Sequence, residues 1–456
     1  MPESEKFDTH HRALSINLDG TIFGSFAEIG AGQEVARWFL RVGGASGTVA
    51  KTISAYDKEV SDHLYGTGSR YVSKLRLQAM IENEWQQLLK QLQATRGANT
   101  RFFAFVDTVS ARNYAGTNDC HGWLGLRFLR QPGEMPNDVI LHVNLMDPSN
   151  VQQQEAVGIL GVNLIYAAHH ALASAEEFLR SVFADLEVER VEIDCLEWSG
   201  DAFHDWNRNH IHAFLVAGGY AEAVVFPADN QLTPPNELLY KRALVFAPGR
   251  FDSVTDMHAH LIGDTLTQLP KEELEESKGG LGLFCLSVTN GAGSESSVGE
   301  ILEHVAKLQQ VGYGVMLFRA QELYRMTAFA NRYTKSRIHF AIGLTVLVHI
   351  FEHRYKDLAG SLLEGIARLF VHNVRLTVYP MAEEELRMRA EAAGLTGWNW
   401  NDTDGMVTAD NLHPSAPLDS LYRYLLESGF ILVGKPEGRR MGDPDGGESN
   451  APEIEF

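Results

Sequence analysis

Apolar positions recur at two spacings along the first 265 residues. Short runs rich in Val, Phe, Leu and Ile are typical of strands, and longer runs with apolar residues three or four positions apart are typical of helices. The predicted strands are 13–17, 21–28, 101–109, 123–129, 139–146, 188–198, 223–226 and 244–246. The predicted helices are 33–42, 70–92, 151–172 and 175–186. This mixture predicts an α/β fold class with an N-terminal mixed α/β domain.

Beyond residue 280 the two patterns alternate regularly. The predicted strands are 281–288, 314–319, 338–342 and 374–379, and the predicted helices are 298–310, 321–332, 345–355 and 362–370. A last helix and strand fall within 418–433. Such alternation is typical of β-α-β units with right-handed crossovers and a ligand site at the carboxyl ends of the strands. It predicts a C-terminal parallel-sheet, Rossmann-like α/β domain.

Changes in composition predict where these domains begin and end. The segment Pro270–Gly280 combines a proline, charged residues and two glycines, which is typical of a connector. The C-terminal segment is rich in glycine, proline and acidic residues, which predicts disorder. The predicted division is a disordered N-terminus 1–12, a mixed α/β domain 13–265, a linker 266–280, a parallel α/β domain 281–435 and a disordered tail 436–456.

Net charge and cysteine content limit the classes of binding partner and the cellular compartment that we expect. The chain has 456 residues and a net charge of −20, which disfavours nucleic acid because its binding requires phosphate neutralisation. The three cysteines form no CxxC pair, as expected in a reducing compartment. The polar N-terminus resembles no secretory signal, and the apolar runs 156–173 and 338–351 are interrupted or too short to span a bilayer. We therefore predict a cytoplasmic protein without a membrane or nucleic-acid partner.

The strongest chemical signal is a glycine-rich junction between a strand and a helix. Gly30 and Gly32 follow the strand that ends near Glu28. Dinucleotide and S-adenosylmethionine loops use such glycines because backbone N–H groups can then approach an anion at the helix N-terminus. Val35 stands where the GxGxxG pattern requires its third glycine, so a tight structural turn is the alternative.

A second glycine-rich stretch, Gly43–Thr52, is similar to a phosphate loop. Ala45 and Ala50 occupy both required glycine positions, so we predict a looser anion site at Gly47, Lys51 and Thr52, with a flexible turn as the alternative.

Carboxylates and arginines complete the candidate site residues. Asp57 and Asp107 are the candidates for acid/base catalysis. Arg319 and Arg325 follow a predicted strand, where α/β ligand sites form, and surface ion pairing is the alternative. A Cys120–His121 thiolate is a weaker hypothesis.

No metal site is predicted. The sequence Asp256-Met-His258-Ala-His260 resembles the HxH motif of amidohydrolase barrels, but fewer residues follow it than such a barrel needs. The sequence identifies no cofactor.

Several longer strings together resemble a known family. They include RALSINLDGTIFGSFAEIGAGQEVARWF, GTVAKTISAYDK and HGWLGLRF. In this order they are similar to an uncharacterised bacterial family whose members carry names such as nicotinate-nucleotide adenylyltransferase or TonB-dependent receptor. The long predicted helices do not fit a receptor of that kind. An adenylyltransferase would show an HxGH-like loop near its start, and this chain has none.

Two functions follow from these observations. The first is an enzyme or binding protein for a phosphate-containing small molecule such as a nucleotide and, if an enzyme, a transferase. The alternative is a non-catalytic oligomeric scaffold or regulatory interaction protein. We expect a homo-oligomer in either case.

Overall fold

The chain forms two compact units, Met1–Ala221 and Glu222–Phe456. In a computed structural model the described residues are 8–68, 70–187, 189–229, 233–249, 251, 256–288, 295–352, 355–371, 373–392, 397–401 and 403–435. The predicted disordered tail 436–456 and residues 1–7 of the predicted disordered N-terminus lie outside them. Among the described helices, none combines the length and the apolar content needed to cross a bilayer.

The first unit contains a mixed sheet and helices on both of its faces. Its helices are α1 Thr9–Leu18, α2 Glu34–Val42, α3 Lys58–Tyr65, α4 Lys74–Arg96, α5 Asn150–His170, α6 Ala175–Val182 and α7 Arg208–Ala217. Its strands are β1 Ile22–Ile29, β2 Val49–Ile53, β3 Arg101–Ser110, β4 His121–Phe128, β5 Asn137–Leu145 and β6 Val191–Ser199. Short 3-10 turns lie at Ala45–Gly47 and Asp201–Phe203.

Within the described residues, the strand order of this sheet is β2-β1-β3-β4-β5-β6. Strand β1 pairs in parallel with β2 and β3, and the other neighbours are antiparallel. Helix α4 packs on one face, where Leu77 and Ile81 join a core with Val106. Helix α5 packs on the other, where Gly161 lies close to Phe105 and Val35. Because Phe105 and Val106 are consecutive, they point to opposite faces of β3.

The segment 13–17 was predicted as a strand and lies within α1. Asp8 caps this helix, since its carboxylate accepts a hydrogen bond from the backbone N–H of His11. The buried residues Ala13, Ile16 and Asn17 follow the spacing of a helix rather than that of a strand.

The second unit contains a larger sheet. Its main strands are β7 Ala223–Phe226, β8 Ala243–Gly249, β9 Gly280–Ser287, β10 Gly314–Phe318, β11 Ile338–Gly343 and β12 Val374–Tyr379. The shorter strands are β13 Met381–Ala382, β14 Trp398–Trp400, β15 Met406–Val407, β16 Leu412–Pro414 and β17 Ile431–Val433. The helices are α8 Pro235–Leu238, α9 Asp256–Thr267, α10 Lys271–Glu275, α11 Glu295–Gln309, α12 Leu323–Ala330, α13 Leu344–Glu352, α14 Ser361–Leu369, α15 Glu383–Ala392 and α16 Leu418–Glu427.

Among the described residues, this sheet has the order β17-β12-β11-β8-β9-β10-β7. All neighbours are parallel except β7, which runs antiparallel to β10 at the edge. Strands β8, β9, β10, β11, β12 and β17 follow one another along the chain and lie in the spatial order 3-2-1-4-5-6. That is the order of a Rossmann-like sheet, and the structure confirms the predicted α/β class.

The division between the units differs from the predicted linker 266–280. Strands β7 and β8 were assigned to the first domain but belong to the second sheet, in which β8 lies at the centre. The segment that resembled a connector forms the end of α9, helix α10 and the start of β9. The regular alternation therefore begins one β-α unit earlier than the apolar pattern indicated.

Candidate functional site

The glycines predicted to bind an anion in the first unit form the turn between β1 and α2. Gly30 and Gly32 have φ values of +101° and +85°. A Cβ atom on Gly30 would lie 1.8 Å from the backbone oxygen of Val109, so glycine is required there. Gly30 and Gly32 therefore adopt the backbone conformation expected of a strand-to-helix turn.

The N-terminus of α2 is already occupied by a carboxylate of the protein. The buried side chain of Glu28 accepts hydrogen bonds from the backbone N–H groups of Val35, at 3.0 Å, and Ala36, at 2.9 Å. A phosphate at this position would compete for the same donors and meet a carboxyl group. The geometry at Gly30 and Gly32 therefore favours the structural turn over an anion site.

Asp107 lies beside Glu28 on the neighbouring strand. The two residues are direct partners in the parallel pairing of β1 with β3, and each is 1% exposed. One oxygen of Asp107 accepts a hydrogen bond from the backbone N–H of Ile29 at 3.2 Å. Burial raises the pKa of Glu28 to about 7, and burial followed by the charge of Glu28 raises the pKa of Asp107 well above its usual value. The pair retains a proton that isolated carboxyl groups would lose.

Lys51 and Thr52 do not converge on one anion. Thr52 accepts a hydrogen bond from Gln33 at 3.1 Å and lines a shallow surface concavity of about 440 Å³ along α2. Lys51, the preceding residue of β2, extends to the opposite face, where its Nζ lies 2.6 Å from a carboxylate oxygen of buried Glu84 on α4. Gly47 lies in the 3-10 turn, and its N–H donates to the carbonyl of Gly44.

Asp57 caps helix α3. Its carboxylate accepts hydrogen bonds from the backbone N–H groups of Glu59 and Val60, at 2.9 and 3.2 Å. This is a common role for aspartate immediately before a helix, and it accounts for the residue without catalysis.

Arg319 and Arg325 lie at the carboxyl edge of the second sheet, as predicted. Arg319 directly follows β10, and its backbone N–H donates to the carbonyl of Glu222 at 2.9 Å. Arg325, in the first turn of α12, forms ion pairs with Glu322 at 3.5 Å and Asp357 at 3.3 Å. Ion pairing therefore accounts for much of the environment of Arg325.

At the same edge, β8 and β11 stop pairing before either strand ends, and we call the position between their carboxyl ends the crevice. The registered pairing of these two strands ends at Phe246 and Phe340. Strand β8 continues to pair with β9 as far as Gly249, and β11 continues to pair with β12 as far as Gly343. Each strand therefore stays paired with its outer neighbour beyond the point where β8 and β11 stop pairing. This is the position where the strand order reverses and where open α/β sheets bind ligands.

Helix α13 begins directly at this crevice. Leu344, its first residue, follows Gly343, and a Cβ atom on Gly343 would meet no atom within 4 Å. Thr345, in the first turn, is 7% exposed, and among the described residues its hydroxyl has no hydrogen-bond partner. The first N–H groups of a helix lack partners within the helix. Sequence analysis did not predict this site because a single glycine between strand and helix is a weak signal.

A chain of hydrogen-bonded side chains crosses β4, β5 and β6 of the first unit. Nδ1 of His142 lies 2.6 Å from Oδ1 of Asp194, and Nε2 of His142 lies 3.1 Å from Nδ1 of His121. Asn144 donates to the other oxygen of Asp194 at 2.8 Å. Sequence analysis did not connect these residues because they are far apart along the chain. The alternating pair His142 and Asn144 on one strand was the available signal.

The Cys120–His121 hypothesis fits this geometry poorly. The sulfur of Cys120 lies 3.6 Å from the carbonyl oxygen of Asn118, whereas the ring of His121 contacts His142. Within the described part of the chain, no three His, Cys, Asp or Glu side chains are grouped in a way that could hold a metal ion.

Comparison with known proteins yields weak structural likenesses. No family model and no curated protein matches the chain. A competence/damage inducible protein from Agrobacterium tumefaciens is 18% identical, with a TM-score of 0.27 over 35% of this chain and 94% of its own. A competence-damaged protein superfamily member from Enterobacter cloacae is 10% identical, with a TM-score of 0.27 over 37% of this chain and 96% of its own. Likeness at this level transfers neither activity nor ligand, and the resemblance noted from the sequence stays a prediction.

Proposed function

We propose that this protein binds a phosphate-containing small molecule, such as a nucleotide, in the crevice between β8 and β11. The observation that carries the proposal is that the registered pairing of these two strands ends at Phe246 and Phe340, at the reversal of the strand order. Ligand sites in Rossmann-like sheets form at this position because the crossover helices leave on opposite faces there.

The residues at the crevice are suited to a phosphate group. Gly343 has no side chain, so a phosphate oxygen can approach the backbone closely. The N–H groups at the start of α13 and the positive end of its dipole favour an anion. The hydroxyl of Thr345 is a further hydrogen-bond donor that lacks a partner. Arg319 follows β10, two strands away along the same edge, and is the candidate for a second charged group of the ligand.

The first ligands to test follow from the same chemistry. The name nicotinate-nucleotide adenylyltransferase, carried by the family that the sequence resembles, makes nicotinate mononucleotide and ATP suitable probes. A ligand at about 100 times its dissociation constant stabilises a protein by about 2.7 kcal/mol, which moves the melting temperature of a unit of this size by about 5–11 °C. Transfer activity and homo-oligomerisation stay predictions at this stage.

The deciding experiment is a calorimetric titration of the wild type and of Gly343→Ala with each probe. The new methyl group meets no protein atom, so the variant folds normally, but it fills the space in which we place the phosphate. We expect its dissociation constant to rise by at least about tenfold, equivalent to about 1.4 kcal/mol.

Gly20→Ala is the matched control, because this exposed glycine also has open space around it and belongs to the first unit. Unchanged affinity in Gly343→Ala would remove the crevice from the site. The lack of binding to either probe, together with a stable assembly in native mass measurements, would favour the oligomeric scaffold.

A further inference from the structure

Positively charged residues gather at the amino edge of the second sheet, opposite the edge of the crevice. Lys241 and Arg242 directly precede β8, Lys278 lies shortly before β9, and Lys335 lies shortly before β11. Strand β8 pairs in parallel with both β9 and β11, so the starts of the three strands lie side by side. We call the surface formed by Lys241, Arg242, Lys278 and Lys335 the basic edge.

Hydrogen bonds join the chain segments that carry these four residues. The backbone N–H of Lys278 donates to the carbonyl of Lys241 at 2.8 Å. The hydroxyl of Thr334, the residue before Lys335, donates to the carbonyl of Arg242 at 2.8 Å. The basic edge is therefore one continuous surface, although its residues come from three separate parts of the chain.

The positive charges of the basic edge have no carboxylate partner. The Nζ atoms of Lys241 and Lys278 lie 5.2 and 4.6 Å from the centroid of the Tyr240 ring, and Nζ of Lys335 donates to a backbone carbonyl. Among the described residues, none of the four cations lies within ion-pair distance of a carboxylate. On a chain with a net charge of −20, such a surface attracts an acidic group.

Neighbouring carboxylates do not compensate this charge. Glu273 forms an ion pair with Arg337 at 2.7 Å, and Glu222 forms one with Arg332. The exposed glutamates that precede Lys278 along the chain belong to α10 and its end and limit the basic edge on that side; they are Glu272, Glu275 and Glu276.

The chain itself contains a segment of complementary charge. Residues 443–456, which lie outside the described residues, include no lysine or arginine. They carry five acidic side chains, namely Asp443, Asp445, Glu448, Glu453 and Glu455. We propose that this acidic segment docks on the basic edge of the same chain. The inference does not depend on the crevice or on its ligand.

The acidic segment can reach the basic edge from the point where the described chain ends. Gln268, directly after α9, donates to the carbonyl of Lys435 at 2.8 Å. Helix α10 begins three residues after Gln268, and its Glu273 contacts Arg337 immediately before β11. The eight residues 436–443 span up to about 26 Å when extended. The connection is therefore long enough for the acidic side chains to meet the lysines.

The tether makes a weak contact effective. A single exposed ion pair contributes little, so docking requires several pairs at once. A segment held on the same chain acts at an effective concentration in the millimolar range. Because salt screens exposed charges, the segment is docked at low ionic strength and released at high ionic strength.

The first test measures binding of a fluorescently labelled peptide, with the sequence of residues 443–456, to the full-length protein by fluorescence anisotropy at low salt. In a neutral-segment variant the five acidic side chains are replaced by Asn or Gln, so the basic edge is open to the peptide. In the wild type the chain's own segment competes. An effective concentration of about 1 mM against a Kd of about 0.1 mM makes the apparent Kd about tenfold higher for the wild type.

Two sets of lysine substitutions in the neutral-segment background locate the binding surface. The edge variant should bind the peptide at least about tenfold more weakly; it carries Lys241→Gln, Lys278→Gln and Lys335→Gln. The control variant changes the net charge equally at exposed lysines of other elements and should bind within about twofold of its parent; it carries Lys58→Gln, Lys90→Gln and Lys356→Gln.

A cross-linking experiment identifies the contact in the wild type. A carbodiimide joins a lysine amine to a carboxylate that touches it, and a mixture of nitrogen-15 labelled and unlabelled protein shows which chains are joined. We expect links between residues 443–456 and the lysines of the basic edge within one chain. Links between labelled and unlabelled chains would overturn docking within the chain, because a second copy would then receive the segment.

The peptide measurements can also overturn the proposal. Equal affinity for the wild type and the neutral-segment variant would show that the segment does not occupy the basic edge. Equal affinity for the edge and control variants would place the contact elsewhere, and lack of binding to the neutral-segment variant would remove it altogether.

Discussion

Two junctions in this molecule join a parallel strand to a helix through glycine, and they differ in what lies at the helix N-terminus. After β1, the carboxylate of Glu28 turns back and accepts hydrogen bonds from the first turn of α2. After β11, the first turn of α13 carries the buried hydroxyl of Thr345, which bonds to no group in the part of the chain that the structure describes. Glycine at such a junction shows that the backbone turns sharply or is approached closely. Whether an anion can bind depends on the side chains that the protein itself places there.

The glycines of the two junctions also differ in how much space surrounds them. Gly30 is enclosed by the backbone of Val109, whereas Gly343 faces open space. The first glycine serves the fold, and the second leaves room for a ligand.

Replacement of these glycines by alanine should give the largest contrast. Gly30→Ala brings a methyl group into the carbonyl oxygen of Val109 at a φ of +101°, and we expect the free energy of unfolding to fall by more than about 3 kcal/mol. Gly343→Ala should change it by less than about 0.5 kcal/mol. Urea unfolding followed by circular dichroism measures both values.

Gly32→Ala provides an intermediate case. Its φ is +85°, but the nearest atoms to a new Cβ belong to the flexible side chain of Glu34, at 3.8 Å. We expect a loss of about 1–3 kcal/mol from backbone strain alone. Equal losses in all three variants would refute the distinction between an enclosed and an open junction.

The carboxyl group at the first junction should make stability depend on pH. Glu28 has a pKa of about 7 in the folded protein and an ordinary value of 4.5, so between these values the folded state binds more protons than the unfolded state. The contribution of Glu28 is therefore complete below the ordinary pKa and is lost as the pH rises through about 7. A shift of this size corresponds to about 3 kcal/mol.

Glu28→Gln keeps an oxygen for the helix N-terminus and removes the titration. Thermal unfolding from about pH 5 to about pH 8 should show a decline for the wild type and a shallower decline for the variant, in which buried Asp107 still titrates. Parallel profiles would mean that Glu28 does not carry the proton.

At the second junction, Thr345→Val should raise stability slightly instead of lowering it. The substitution replaces a buried hydroxyl that has no partner by a methyl group of similar size, so we expect the unliganded protein to gain up to about 1 kcal/mol. The same variant should bind a phosphate ligand less tightly, because it lacks the donor. A loss of stability without ligand would show that the hydroxyl is bonded in solution.

Local patterns predicted much of the fold. Strands 223–226 and 374–379 have the predicted bounds, the first as a continuous apolar run and the second as an alternation of apolar and polar residues. Helix α5 coincides with a long apolar segment, and it begins directly after a capping serine, Ser149. The unit boundary was not predicted, because whether β8 pairs with β6 or with β9 is a tertiary choice that periodicity does not contain.

The candidate sites could be predicted less well from the sequence than the fold. Lys51 and Thr52 looked like parts of one loop, but consecutive residues of a strand point to opposite faces. Asp57 was predicted to be a catalytic residue, but in the structure it caps helix α3. His142 and Asp194 come together only because β5 pairs with β6, and a search for motifs of fixed spacing does not detect a contact of that kind.

The short pairing between β8 and β11 also bears on how the second sheet assembles. Strands β8, β9 and β10 each pair with the next strand along the chain, and so do β11 and β12. Each of these two groups therefore forms through contacts between segments that are close in sequence. The two groups meet through only three registered pairs, from Leu244 with Ile338 to Phe246 with Phe340. Closing this seam requires a loop that contains β9 and β10, at a greater cost in chain entropy. The proposed ligand crevice thus lies at the seam between two groups of strands that pair locally along the chain, where a bound molecule would link both.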